Sequence, residues 1–188
     1  MDWISGTGKR RKTFSKILKL LAERYAKTLV ETGTCRSGLS NIKSDGASTL
    51  IFANWAAKNG ATLFSIDSDE QAIKTASDTL DKQELKDHVN LINADSIEFL
   101  SQFDSDIDFL YLDSLDYDLA DETLQNASQE HHLKEFLAIE NQLTDMAVVL
   151  IDDHDLPNGG KSKLALGYML NHGWQILMQH YQVIAVKS

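Results

Sequence analysis

A doubly wound α/β fold is what this 188-residue sequence predicts: a mostly parallel sheet with helices on both faces. Three observations carry that reading. Five short apolar runs, 28–32, 62–67, 89–95, 107–113 and 147–153, are near-continuous, as parallel strands buried on both sides are. Helical patterns separate them, which gives the alternation of βαβ units with right-handed crossovers. The tail, 174–188, reads as two more strands around a very tight turn, which adds a C-terminal antiparallel strand.

The elements follow in order. Phe14, Ile17, Leu18, Leu21 and Tyr25 recur at helical spacing and predict an amphipathic helix over 13–27. The run "TLVET" (28–32) is a buried strand. A polar segment, 35–45, has the Gly, Ser and Asn content of a surface loop or lid. The next helix spans 48–59, with Ser48 or Thr49 at its N-cap and Gly60 at its end. Strand 62–67, helix 69–80, strand 89–95, helix 96–103 and strand 107–113 follow. A polar loop leads to a helix over 129–143, then come strand 147–153 and helix 161–173. There is no repeat, no linker and only one proline, Pro157, so the whole chain reads as one domain.

Composition narrows the function. Hydrophobic residues make up 43% and charged residues 24%, so the chain has the makings of a globular core and is not disordered. No apolar run reaches the length of a membrane span. Cys35 is the only cysteine, which excludes an internal disulfide and a zinc cluster and suits a reducing cytoplasm. The net charge is −10, yet residues 1–27 hold eight Lys and Arg against Asp2 and Glu23. The acidic remainder repels phosphate backbones, so general nucleic-acid binding is not expected. The basic arm reads as a solvated helix face.

In an open α/β sheet, ligands bind at the carboxyl ends of the strands. Here those ends are Glu31–Gly33, Asp67, Asp95, Asp113 and Asp152–Asp153, and each carries an acid. One alone could be a helix cap, as Asp95 is placed to be. Five together point to a site. The stretch "VETGTCRSGLS" spaces Gly33, Gly38 and Ser40 like a triphosphate-binding loop, but Leu39 stands where its lysine belongs. Asp67, in contrast, lies 21 positions after Gly46. That is the spacing of a carboxylate that accepts both ribose hydroxyls beyond a glycine turn. The functional helix entry is therefore "DGASTL", and a P-loop NTPase is the alternative.

The order "VETGT", "DGASTL", "LFSIDSD", "NADS", "FLYLDS", "VLIDDHD" resembles the class I S-adenosylmethionine-dependent methyltransferases, whose fold is a Rossmann-like sheet closed by a terminal hairpin. The resemblance implies that Glu31, Gly33 and Thr34 lie beside the methionine part of the cofactor. Gly46, Ser48 and Thr49 form the turn and helix start. Asp67 holds the ribose, Asp95 and Ser96 meet the adenine, and Asp113 closes the site beneath the sulfonium. A small-molecule methyl acceptor is implied, with oxygen favoured over nitrogen. A non-catalytic methyltransferase-like domain is a further alternative, and homo-oligomerisation stays open.

Asp113, Asp152 and Asp153 also match the positions at which the catechol-type O-methyltransferases hold Mg²⁺ or another divalent cation, with Asp in place of the family's Asn. The lysine base of that subgroup falls at Asp116 here. Candidate proton acceptors are then His131, His132 and His154, because imidazole titrates near neutrality. Arg36 and Lys161 flank the same mouth, and each is either a grip for an acidic acceptor or surface charge, with surface favoured for Lys161. Trp55 and Tyr111 are read as core, and Cys35 as a small loop residue.

Overall fold

The strands assemble as the apolar runs predict. In the computed structural model, which describes residues 3–187, seven strands form one sheet in the order β3-β2-β1-β4-β5-β7-β6. β1 (Thr28–Thr32), β2 (Thr62–Asp67), β3 (Val89–Asn93), β4 (Ile107–Leu112) and β5 (Leu143–Ile151) pair in parallel. Strand β6 (Trp174–Gln179) pairs antiparallel with β7 (Val183–Lys187), and β7 pairs antiparallel with β5. The order reverses between β1 and β4, so the switch-point crevice opens where those two strands end.

Helices α1 (Arg11–Glu23), α2 (Ile42–Asp45), α3 (Ser48–Asn59), α4 (Glu70–Lys82), α5 (Ser96–Gln102), α6 (Glu122–Ile139) and α7 (Lys163–Asn171) surround the sheet. Alternation along each strand sorts its side chains into two cores. Leu29, Phe109, Tyr111, Val148 and Leu150 meet Phe14 of α1, Phe52 of α3 and Leu80 of α4. Val30, Leu110, Leu112, Val149 and Ile151 meet Leu100 of α5, Phe136 of α6 and Met169 of α7. Phe14, Phe52 and Tyr111 pack edge to face with centroids 5.6–6.2 Å apart. That arrangement adds about 0.5–1.5 kcal/mol per pair beyond area burial. It also fixes α1 and α3 over the end of β4.

Several boundaries differ from the sequence reading. α1 ends at Glu23, and Tyr25 turns the chain at φ 55 into β1. α6 begins seven residues early, at Glu122, where Asp121 accepts from the Thr123 and Leu124 N–H groups. Its first turns are polar because Gln125, Ser128 and Gln129 are buried against loops, not against the apolar core. β5 starts at Leu143 through a register shift and stops at Ile151, before the two aspartates. Neither Ser48 nor Thr49 caps α3. Ala47 holds that position at φ 50 without a side-chain cap, and both hydroxyl residues turn inward. Segment 35–45 is folded down: Cys35 is buried and 42–45 form a helical turn. The closing turn is three residues, 180–182, and Ser188 lies outside the described residues.

Candidate active site

At the carboxyl ends of β1, β2 and β4 two clefts meet, and Gly33, Asp67 and Ser114 line both. One, of ≈ 410 Å³, extends past Asp95, Ser96 and His131. The other, of ≈ 540 Å³, extends past Thr34, Asp113, Asp153, Arg10 and Lys161. Together they form a trench along the strand ends. Its floor depends on Gly33. At φ 84, a Cβ there would stand 2.4 Å from the Asp113 carbonyl oxygen, so only glycine lets the β1 and β4 ends close on each other.

The residues expected to hold the cofactor are brought together. Asp67 accepts the Thr34 N–H at one oxygen and the Asp69 N–H at the other, both at 2.9 Å. Each oxygen keeps a second lone pair for a ribose hydroxyl. Thr49 Oγ1 accepts the Cys35 N–H at 2.9 Å and lies 3.2 Å from Thr34 Oγ1. Ser48 lines the second cleft, and Gly46 ends α2 against the Arg10 side chain. Asp95 caps α5 by accepting the Glu98 N–H and also lines the first cleft. Glu31 is fully buried. Its Oε1 accepts from Ser65 at 2.6 Å, its Oε2 has no partner, and burial raises its pKa to about 7.

Asp113, Asp152 and Asp153 do converge, with carboxylate oxygens within 4.8 Å of one another. Two cations already hold them. Arg10 Nε lies 3.0 Å from both Asp152 oxygens, and its Nη2 also bonds Asp152. Lys161 Nζ lies 2.7 Å from Asp113 and 3.5 Å from Asp153. Lys161 is therefore not surface charge: its side chain is 2% exposed. The tight Gly159–Gly160 turn delivers it. A Cβ at Gly160, with φ 56, would stand 1.8 Å from the Asp153 carbonyl oxygen. Asp153 itself sits at φ 48, a strained conformation of the kind that clusters at functional sites. Tyr111 donates to Asp113 Oδ2 at 3.0 Å and accepts from Gln182 at 3.1 Å, so this core tyrosine also fixes the cluster. With Arg10 and Lys161 already on the three carboxylates, a divalent ion would have to displace a buried cation, so the residues do not fit one as they stand.

The histidines divide. His131 lines the first cleft, with Nε2 at 3.1 Å from Ser96 Oγ and 3.2 Å from Glu135. Its pKa is raised, chiefly by Glu135. His132 is fully buried against the Ser128 carbonyl, and burial lowers its pKa to about 4. His154 bonds Ser162 and Gln179 and lines neither cleft. Arg36 forms an exposed pair with Asp116 at 2.8–2.9 Å, which ties loop 35–45 to the loop after β4. Cys35, as expected, is inert: burial raises its thiol to about 12. Sequence reasoning missed Arg10 as a site residue and favoured a surface role for Lys161. For Lys161 the available signal was "GGK" close behind the paired aspartates that follow β5. For Arg10 there was none.

The strand order and the acid-lined trench define the class I S-adenosylmethionine-dependent methyltransferase architecture. A family model described as a methyltransferase domain matches residues 43–154. The chain belongs to that family. Solved structures share the fold at low identity. A caffeoyl-CoA O-methyltransferase candidate from Staphylococcus aureus is 18% identical with a TM-score of 0.67, over 95% of this chain and 84% of that one. An S-adenosylhomocysteine-bound methyltransferase from Podospora anserina is 15% identical with a TM-score of 0.66, over 95% and 79%. An rRNA methylase from Streptococcus thermophilus is 14% identical with a TM-score of 0.59, over 92% and 94%. No curated protein matches the sequence. Among the described residues no helix is long and apolar enough to cross a membrane.

Proposed function

We propose that this chain methylates a hydroxyl oxygen of a small-molecule acceptor, using S-adenosylmethionine bound along the trench. One observation carries the reading. Three buried polar atoms without a hydrogen bond, Asp45 Oδ2, Ser114 Oγ and Asp153 Oδ1, belong to residues that line the second cleft beside Gly33 and Asp67, and Asp153 Oδ1 has only a long ion pair, 3.8 Å from Arg10 Nη2. Unmet polar atoms cost about 1–3 kcal/mol each unless a ligand satisfies them. When bound, the cofactor supplies a methyl group already activated on sulfonium.

The chain's own residues then do the rest. Asp67 grips the ribose hydroxyls, Asp95 and Ser96 face the adenine, and Glu31, Gly33 and Thr34 seat the methionine end. Asp153 Oδ1 takes the acceptor's hydroxyl proton, since neither His132 nor His154 reaches the cleft and His131 stands at its adenine end. Holding the acceptor in line is the larger share of the catalysis. The cleft's mixed rim, with Asp45, Asp113, Asp116 and Asp153 among Arg10, Arg36 and Lys161, favours a small polar acceptor over a polyanion such as RNA. Divalent-metal assistance is not part of the proposal, because an ion entering the cluster would have to displace Lys161 or Arg10 from it. A cytoplasmic setting suits the buried, unpaired Cys35.

The test is calorimetry with S-adenosylhomocysteine. Micromolar binding is expected, weakened at least about tenfold by Asp67→Ala, which is about 1.4 kcal/mol. No binding to the wild type refutes the proposal. Tight ATP–Mg²⁺ binding instead would restore the NTPase alternative, although residues 33–40 run into turns and α3 starts only at Ser48.

A further inference from the structure

We propose that Lys161 is a tethered cation standing where a divalent metal would otherwise bind, so that its ammonium supplies the positive charge beside the acceptor oxygen. The inference rests on the methyl-transfer reading above and deepens it. Geometry is its foundation. Asp113, Asp152 and Asp153 place carboxylate oxygens within 4.8 Å of one another, close enough to share one cation. Lys161 Nζ sits against two of the three, 2.7 Å from Asp113 and 3.5 Å from Asp153, while Arg10 holds Asp152. It is also part of the wall of the second cleft, so the ammonium, which has three N–H donors, can spend one on a ligand there.

The lysine is built in rather than draped over the site. Its backbone N–H donates to the Asp153 carbonyl at 3.3 Å, and the Gly159–Gly160 turn presses that segment against Asp153. Swinging the side chain out would leave a buried cluster with one cation fewer. Arg10 does not take its part: its guanidinium is hydrogen-bonded to Asp152 and to the Ser44 carbonyl at 2.6 Å, and it reaches Asp153 only at 3.8 Å. A metal ion entering here must strip Lys161 from both aspartates and leave an ammonium buried without a partner. A fixed ammonium is no base. It acts on the acceptor by attraction, favouring the oxygen as its proton leaves.

Manganese(II) is the probe, read by the loss of its free electron-paramagnetic signal, which needs neither cofactor nor acceptor. Wild-type protein stripped with chelator is expected to bind no Mn²⁺ tighter than about 1 mM, the strength of a loose surface carboxylate site. Lys161→Ala is expected to bind at least tenfold tighter, and Asp113→Asn in that background to lose the gain. Lys161→Gln, which keeps the bulk, is the second variant should the alanine protein fail to fold. Micromolar Mn²⁺ binding by the wild type overturns the proposal whatever the variants do. So does a folded Lys161 variant that binds no tighter than wild type. S-adenosylhomocysteine calorimetry on the same preparation separates the two claims: its failure refutes the proposed function, whereas manganese binding by wild type refutes the role of Lys161.

Discussion

Glu31→Gln is expected to stabilise the unliganded protein, and by an amount that depends on pH. The folded carboxyl sits at about 7 against an ordinary 4.5, because burial disfavours its charged form. At about 1.4 kcal/mol per pH unit, that difference corresponds to about 3 kcal/mol of folding free energy. The sign is fixed by which state holds the proton more tightly. With a raised folded value, stability is greatest below pH 4.5, falls as pH rises toward 7, and has lost the whole amount above it. Glutamine never ionises and avoids that loss. The variant should match the wild type near pH 4.5 and exceed it by about 3 kcal/mol at pH 8.5, or roughly 6–12 °C in Tm for a chain of this size. Urea unfolding of both proteins at pH 5, 7 and 8.5 measures it. An equal stability at pH 8.5, or a difference that ignores pH, would refute the argument. The same substitution should weaken S-adenosylhomocysteine binding, because the carboxylate lies behind Gly33 and Thr34. Stability given up at a binding site is a familiar exchange.

Arg10→Met strands the buried Asp152 carboxylate and should cost about 3–5 kcal/mol in urea unfolding, with Asp152→Asn in the same chain recovering part of it. Gly33→Ala meets a carbonyl oxygen at 2.4 Å in a conformation that alanine resists, so a lowered Tm and lost cofactor binding are expected together. Arg36→Ala removes only an exposed ion pair and should change stability by less than about 1 kcal/mol, a difference that 0.5 M salt erases. His131→Gln leaves Glu135 buried without its cation. The imidazole's pKa is raised in the folded state, so the Tm deficit should be full below about pH 6.5 and shrink as pH rises.

Much of the fold was legible because burial writes periodic patterns. The runs "TLFSID" and "IDFLYLD" are strands to within a residue, and the doubly wound order follows from their alternation with helices. The misplaced start of α6 has the opposite cause. Its first turns bury Gln125, Ser128 and Gln129 against loop carbonyls, so polar residues do what apolar ones usually do and no stripe appears. The absent cap of α3 is similar. Ser48 and Thr49 are good capping residues, but the trench recruits Thr49 to hold the Cys35 backbone, and Ala47 takes the strained position instead.

The site was half legible, and the division has a physical reason. Each acid sits at a strand end, so its address is local and the sequence shows it. The cations that neutralise those acids obey no local rule. Arg10 reaches Asp152 across 142 positions, and Lys161 reaches Asp113 across 48. Arg10 carries no local signal, and Lys161 only the "GGK" that follows the paired aspartates. Reading only the local half suggests a cluster of three carboxylates awaiting a metal. Once Arg10 and Lys161 are in place the cluster retains one negative charge in place of three, and an incoming divalent ion would find its ligands engaged. The same aspartates support opposite conclusions depending on partners that only the folded chain supplies. A metal site inferred from acidic residues alone is therefore an inference about half of a charge balance, and here the other half is lysine and arginine.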